Sequence, residues 1–106
     1  MKQAKRKKLE SAGWIVSDAR EFLDLSDDES EYIEIKLALS DLLKERRRKR
    51  RLSQVKFAAL IDSSQSRVAK MEAGDASVSI DLLVKSLLAL GASTKELANA
   101  ISPRKP

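Results

Sequence analysis

Apolar residues recur three and four positions apart along most of this chain, which is the spacing of one face of an α-helix. Between Asp27 and Arg50 no residue breaks a helix, and the apolar positions form one stripe: Ile35, Leu39, Leu42 and Leu43, widened by Ile33 and Leu37. No segment alternates apolar and polar residues for long enough to be a strand. The pattern predicts an all-α protein with one long helix from about Asp27 to Arg50. A break near Ser40 would show that two helices had been joined wrongly.

Serine residues precede the later apolar segments, where a hydroxyl can accept a hydrogen bond from the first helical turn. They predict helices near 53–61, 64–73 and 79–90, and a shorter last helix to about Ile101, begun by Ser53, Ser64, Ser79 and Ser93. Gly74 and Gly91 are predicted to end helices. Capping boxes, in which a serine and a glutamate three residues later bond each other's backbone, are predicted for 26–29 and 93–96.

The predicted helix starts and ends divide the chain into three parts. Residues 1–41 form a helical extension, with short helices expected near 2–12 and 18–23, because Gly13 is a plausible stop and Ser17 a plausible cap. Residues 42–101 form the bundle, and 102–106 are a frayed tail after Pro103.

The amino-acid composition limits the classes of function that are expected for this chain. The chain has 42% hydrophobic and only 4% aromatic residues, which favours a helical bundle over a sandwich or barrel. Cys and His are absent, which removes the thiol nucleophile, the commonest general base and the commonest metal ligands. We therefore expect no enzyme, no catalytic residue, no metal and no cofactor. No apolar run approaches ~18 residues, and none follows the basic start, so a cytoplasmic protein without membrane contact is expected.

The formal charge of +5 is unevenly distributed. Residues 1–8 carry +5, residues 9–41 carry −8, and residues 42–106 carry +8. The basic C-terminal part indicates a polyanionic partner such as nucleic acid. The acidic middle part indicates a different, basic partner, or association with the chain's own basic part.

The segment 53–74 predicts a helix, a short turn and a second helix. Each helix has one apolar face that can pack on the other helix and on the bundle. The faces are Phe57, Ala58 and Ile61 on the first helix, and Val68 and Met71 on the second. Ala58 is small, as is needed where two helices cross closely. Gln65, Ser66 and Lys70 lie on the opposite face of the second helix. Gln can bond adenine at N6 and N7, and Ser can bond several base edges. We therefore predict that Gln65, Ser66 and Lys70 read bases in the major groove, the alternative being contacts to phosphates or solvent.

Over residues ~42–91 the chain resembles the XRE, or λ-repressor-like, helix-turn-helix family. The resemblance lies in Ser53-Gln54, Ala58, the exit Glu72-Ala73-Gly74, and a serine-capped helix ending in Leu90-Gly91. It implies a λ-repressor-like helix-turn-helix bundle that binds double-stranded DNA and acts as a transcriptional repressor. It also implies that Gln54 bonds a phosphate and braces Gln65, and that Arg47 pairs with Glu72. The family usually has glycine where this chain has Asp62 and Arg51.

Seven of the eight residues 44–51 are basic. Such a run is usually a solvated helix face, but this one lies near where a duplex would bind. Apart from Arg47, its members Arg46, Arg48, Lys49, Arg50 and Arg51 are candidates for DNA or for solvent. The predicted phosphate contacts are Gln54, Arg67, Arg48, Arg50 and Arg51. Because one recognition helix reads only a few base pairs, a two-fold homodimer is expected, with half-sites about 34 Å apart.

The first forty residues hold too much apolar material for a disordered arm. They either pack on the chain's own bundle or grip another protein, and the candidate contacts are Trp14, Val16, Phe22 and Leu25. The arrangement resembles HigA-type antitoxins, which implies a basic RelE/HigB-like toxin as partner and a type II toxin-antitoxin role. The alternative is a stand-alone XRE-type repressor, phage-like or housekeeping, with no toxin. Leu82 and Leu88 lie off the expected core face of their helix and are further candidates for contacts.

Overall fold

A computed structural model describes residues 27–102, and this part of the chain is entirely helical. It contains α1 (Asp27–Lys49), α2 (Gln54–Leu60), α3 (Gln65–Ala73), α4 (Ile80–Ala89) and α5 (Thr94–Ile101). The all-α prediction is confirmed. The long helix is also confirmed: α1 continues through Ser40 without a break. The helices expected near 2–12 and 18–23, the capping box from Ser26 and the tail beyond Ser102 lie outside the described residues.

Hydroxyl caps set the start of the four later helices. Each capping serine accepts a hydrogen bond, at 3.1–3.2 Å, from the backbone N–H three residues on; the pairs are Ser53 with Lys56, Ser64 with Arg67, Ser79 with Leu82, and Ser93 with Glu96. The capping box at Ser93 is complete, since the Glu96 carboxylate accepts from the Ser93 backbone N–H at 3.3 Å. Gly74 and Gly91 adopt left-handed backbone after α3 and at the end of α4 (φ 70° and 85°). The sequence thus predicted these boundaries to within a residue or two.

One hydrophobic core holds the helices together, because α1 packs against α3, α4 and α5, while α2 packs against α3. Its fully buried side chains come from every helix except the last: Leu39 and Leu43, Phe57, Val68 and Met71, Leu83 and Leu87, with Leu90 after α4. Gly74 sits so close to α1 that an added Cβ would lie 2.6 Å from the Leu37 side chain. The α3–α4 connection is therefore pinned against the long helix.

The expected apolar faces of α2, α3 and α4 pack as predicted, with one exception. Leu88 is 48% exposed, as its position off the core face requires. Leu82 was expected to lie off the core as well, but its side chain is half-buried and packs against the core. Only Leu88 of this pair is left largely in solvent. No helix within residues 27–102 is both long enough and apolar enough to cross a membrane.

Candidate nucleic-acid interface

The helix pair α2 and α3 presents one polar face to solvent. Asp62 makes the turn between them in the left-handed conformation (φ 54°), and the Ser63 backbone N–H donates to the Ala58 carbonyl at 2.8 Å. Val68 and Met71 face inward and are fully buried. The residues predicted to read bases are all exposed on the outer side of α3: Gln65, Ser66 and Lys70. The expected geometry is present, whereas their contacts with bases stay a prediction.

The side chain of Gln65 is not free to swing, because it is held by α2. Its Nε2 donates to Oε1 of Gln54 at 2.7 Å. Gln54 in turn donates from its own Nε2 to Oε1 of Glu72 at 3.2 Å. The brace from Gln54 to Gln65 that the resemblance implied is therefore present, and it continues into the core-facing side of α3.

Glu72 ends this series of contacts in a buried ion pair with Arg47 of α1. Arg47 Nη2 donates to Glu72 Oε1 at 3.0 Å, and Arg47 Nε donates to Oε2. The third nitrogen, Nη1, donates to the Leu52 carbonyl at 2.7 Å. The two side chains are only 12% and 3% exposed. The hydrogen bonds that Arg47 donates to Glu72 raise the pKa of Arg47, and burial opposes that effect only in part.

The predicted phosphate contacts lie around this face. Arg48, Arg50, Arg51 and Arg67 are exposed, and Gln54 is half-exposed at the start of α2. Arg51 has left-handed backbone (φ 56°), as does Asp62. Both are positions where the resembled family usually has glycine, and this chain adopts left-handed backbone at both without glycine. The phosphate contacts of these five residues stay predictions.

One member of the basic run has a different position from the one expected. Arg46 was a candidate for DNA or solvent, but it points toward the end of the bundle formed by α4 and α5. It forms an ion pair with Glu96, donates to the Gly91 carbonyl at 2.8 Å and to the Leu90 carbonyl at 3.3 Å. These contacts engage the guanidinium, so the expectation for Arg46 was wrong. Arg46 joins the end of α1 to the α4–α5 turn.

The loop after α3 contributes residues that the sequence did not single out. Ser77 of this loop lines a shallow depression together with the cap residue Ser64 and with Ser66, Arg67 and Lys70 on the polar edge of α3. Asp75 accepts hydrogen bonds from the Ser77 hydroxyl at 2.6 Å and the Ser77 N–H at 2.9 Å. These bonds lower the pKa of Asp75, and the charge of Lys70 adds to the effect. The packing of the loop against α3, which the sequence pattern does not contain, brings Ser77 beside Ser66, Arg67 and Lys70.

Lys36 was also missed. It is 2% exposed on the inner side of α1, and its Nζ donates to the Ala76 carbonyl at 3.1 Å. Burial lowers the pKa of this ammonium, and the nearby carboxylate of Asp75 partly offsets that. Its position three residues after Ile33 and three before Leu39 was the available signal, because it places Lys36 near the apolar stripe.

A family model described as helix-turn-helix matches residues 43–97, which is more than half of the 106 residues. The match begins within α1 and ends within α5, so it covers most of the core, the turn and the polar face of α3. No curated protein and no solved structure matches the chain.

Proposed function

The chain belongs to the XRE, or λ-repressor-like, family of helix-turn-helix proteins, which bind specific DNA sequences in transcription regulation. We propose that it is a repressor that reads a double-stranded operator with α3. The observation that carries the proposal is the outer face of α3. Its polar side chains have no packing role, yet the first of them is held in place by Gln54.

Base reading falls to the N-terminal part of α3, which is the part of a recognition helix that enters the major groove. Gln65 is suited to adenine, and Ser66 can bond several base edges. Lys70, one turn further along, reaches either a guanine or a phosphate. The Ser66 hydroxyl lies 3.3 Å from the Ser64 hydroxyl, which leaves it capacity for a further hydrogen bond.

Phosphate contacts would fix the register of the helix on the duplex. Gln54 has a second amide hydrogen available beyond the one given to Glu72. The exposed cations Arg48, Arg50, Arg51 and Arg67 would add counterion release, which makes binding steeply dependent on salt. Ser77 and Ser64 border the same polar edge of α3 and are additional candidates.

A homodimer on a two-fold operator completes this proposal, because α3 alone spans only a few base pairs. The test is selection of binding sites from a pool of random duplexes by the full chain, followed by footprinting. We expect an inverted repeat whose half-sites are about one helical turn, or ~34 Å, apart. Enrichment of no sequence, or a single half-site protected by a monomer, would contradict the proposal.

We propose an antitoxin role as a second function, supported by charge. Residues 9–41 carry −8, and the start of α1 exposes Asp27, Asp28 and Glu29. A basic RelE/HigB-like toxin would be electrostatically complementary to such a surface. The apolar candidates Trp14, Val16, Phe22 and Leu25 lie outside the described residues and remain predictions. A stand-alone XRE-type repressor is the alternative.

A cheap genomic observation separates these two roles. A reading frame of roughly 90–110 residues with basic composition beside this gene would support the antitoxin, since a single domain of that size suffices for a toxin. Co-expression then tests it: the full chain should relieve the growth arrest caused by that neighbour, and Trp14→Ala with Phe22→Ala should abolish the relief. Growth arrest that persists with the unaltered chain would exclude the antitoxin role.

A further inference from the structure

The hydrogen bonds from Gln65 to Glu72 run in one direction, since Gln65 donates to Gln54 and Gln54 donates to Glu72. That direction has a consequence for base preference. We propose that Glu72 is a positioning residue for base reading: through Gln54 it fixes which end of the Gln65 amide faces the DNA, and so selects adenine over guanine. The proposal rests on the proposed function, in which Gln65 contacts a base.

The direction is set at Glu72. An ionised carboxylate can only accept hydrogen bonds. Its Oε1 accepts from Arg47 Nη2 at 3.0 Å and from Gln54 Nε2 at 3.2 Å, while its Oε2 accepts from Arg47 Nε. The side chain is 3% exposed, so water has little access to replace these donors. Gln54 must therefore turn its NH₂ group, and not its carbonyl oxygen, toward Glu72.

Gln54 passes this direction on. With its Nε2 committed to Glu72, its Oε1 faces α3 and accepts from Gln65 Nε2 at 2.7 Å. Reversing the Gln54 amide would place its carbonyl oxygen against the Glu72 carboxylate, two acceptors with no hydrogen between them. The orientation seen for both amides is thus the one that the acceptor-only carboxylate requires.

The result at Gln65 is a fixed pattern of donor and acceptor. Its Oε1 is left for the DNA, together with the second hydrogen on Nε2. Adenine offers a donor at N6 and an acceptor at N7, which matches this pattern. Guanine offers two acceptors, O6 and N7. To meet them, Gln65 would have to point its NH₂ group outward, which would set its Oε1 against Oε1 of Gln54.

The experiment measures base preference at one position of the operator. Site selection with the unaltered chain and with Gln65→Ala identifies the base pair whose preference depends on Gln65. Affinities are then measured for two duplexes with A·T or G·C at that pair. The unaltered chain should prefer A·T by roughly 5- to 150-fold, as expected for a good bidentate contact.

Two variants interrupt the series of contacts at different points. Glu72→Gln keeps the shape but can donate as well as accept, so Gln54 can reverse; Gln54→Leu removes the middle of the series and leaves the buried ion pair in place. In both, the A·T to G·C affinity ratio should fall toward one. Arg47→Lys is the matched control, because it loosens the ion pair but keeps the acceptor-only carboxylate. It should keep the ratio of the unaltered chain.

Four results would contradict the positioning role of Glu72. An unchanged ratio in folded Glu72→Gln, or in Gln54→Leu when Glu72→Gln does not fold, overturns the role of Glu72. A ratio that collapses in Arg47→Lys as well overturns it by assigning the effect to the loosened ion pair. A preference for G·C in the unaltered chain overturns the inferred polarity. If Gln65→Ala alters no base preference, base reading by Gln65 itself fails, and the inference fails with it for that separate reason.

Discussion

Arg47 of α1 and Glu72 of α3 form a two-point ion pair beneath the polar face of the molecule. Two guanidinium nitrogens of Arg47 bond the two carboxylate oxygens of Glu72, and the third bonds the Leu52 carbonyl. The pair therefore ties three segments together: the end of α1, the connection to α2, and α3. The helix α3 is held in position by a charged contact as well as by the apolar core.

Breaking this pair should be costly. Glu72→Ala leaves the Arg47 guanidinium buried without its carboxylate, and we expect a loss on the order of 3 kcal/mol in the free energy of unfolding. Urea denaturation measures it. The exposed pair Glu45–Lys49, with side chains 65% and 75% exposed, is the matched control. Glu45→Ala should cost no more than about 0.5 kcal/mol, because water screens that pair. Similar losses in both variants would show that burial does not strengthen the contact between Arg47 and Glu72.

The neighbouring residue Arg46 supports a separate prediction. Arg46→Ala should lower the free energy of unfolding by about 1–2 kcal/mol, because it removes the Glu96 ion pair and hydrogen bonds to two carbonyls. Its affinity for random DNA should stay close to that of the unaltered chain. Arg50→Ala is the control with the reverse profile, since Arg50 is exposed. Unfolding monitored by circular dichroism and a titration with random duplex give both quantities. Weaker random-DNA binding by a folded Arg46→Ala would return Arg46 to the interface.

The contacts of these two arginines could not be predicted from local features of the sequence. The helix boundaries followed from serine caps, glycines and apolar spacing, which are local. Arg46 and Arg47 are adjacent members of one basic run, and they diverge only because successive residues on a helix point about 100° apart. Arg47 faces α3, and Arg46 faces the α4–α5 turn. Only the resemblance to a known family separated Arg47 from the rest, and nothing local indicated that Glu96 would pair with Arg46.

The left-handed backbone at Arg51 gives a prediction about stability. A side chain at positive φ costs roughly 1–2 kcal/mol, whereas glycine adopts this conformation freely but loses more entropy on folding. We expect Arg51→Gly to be more stable than Arg51→Ala by about 1 kcal/mol. Both variants lose the same charge, so any phosphate contact is lost equally. Thermal unfolding compares them, and equal stability of the two would indicate that residue 51 is not held at positive φ in solution.

The Asp75–Ser77 contact gives a prediction about pH. The hydrogen bonds from Ser77 lower the pKa of Asp75 below its unfolded value. The stability they confer is therefore fully present above the unfolded pKa, about 4, and is lost as pH falls through the folded pKa. Ser77→Ala should lower the thermal unfolding midpoint at pH 7 and have a smaller effect near pH 3. Ser79→Ala is the control, because its capping bond to the Leu82 N–H involves no titrating group. A deficit for Ser77→Ala that is as large at pH 3 as at pH 7 would contradict this linkage.

Base contacts and phosphate contacts should differ in their effects on operator and random DNA. Gln65→Ala should lose about 1–3 kcal/mol of binding free energy on the selected operator and much less on random duplex, because only a base contact distinguishes the two. Arg50→Ala, where the guanidinium contacts a phosphate, should weaken both duplexes similarly. It should also reduce the slope of log affinity against log salt by about one. Titrations at two salt concentrations give all of these quantities.

The two variants act as controls for each other, since both side chains are exposed and neither supports the core. Equal losses for Gln65→Ala on operator and random duplex would rule out Gln65 as a base reader. A loss confined to the operator in Arg50→Ala, with the salt slope unchanged, would rule out a phosphate contact there. Neither variant should alter relief of toxin-induced growth arrest if residues 1–41 hold the toxin. Loss of that relief in Gln65→Ala would instead move the toxin-binding surface onto α3, where DNA and toxin would compete.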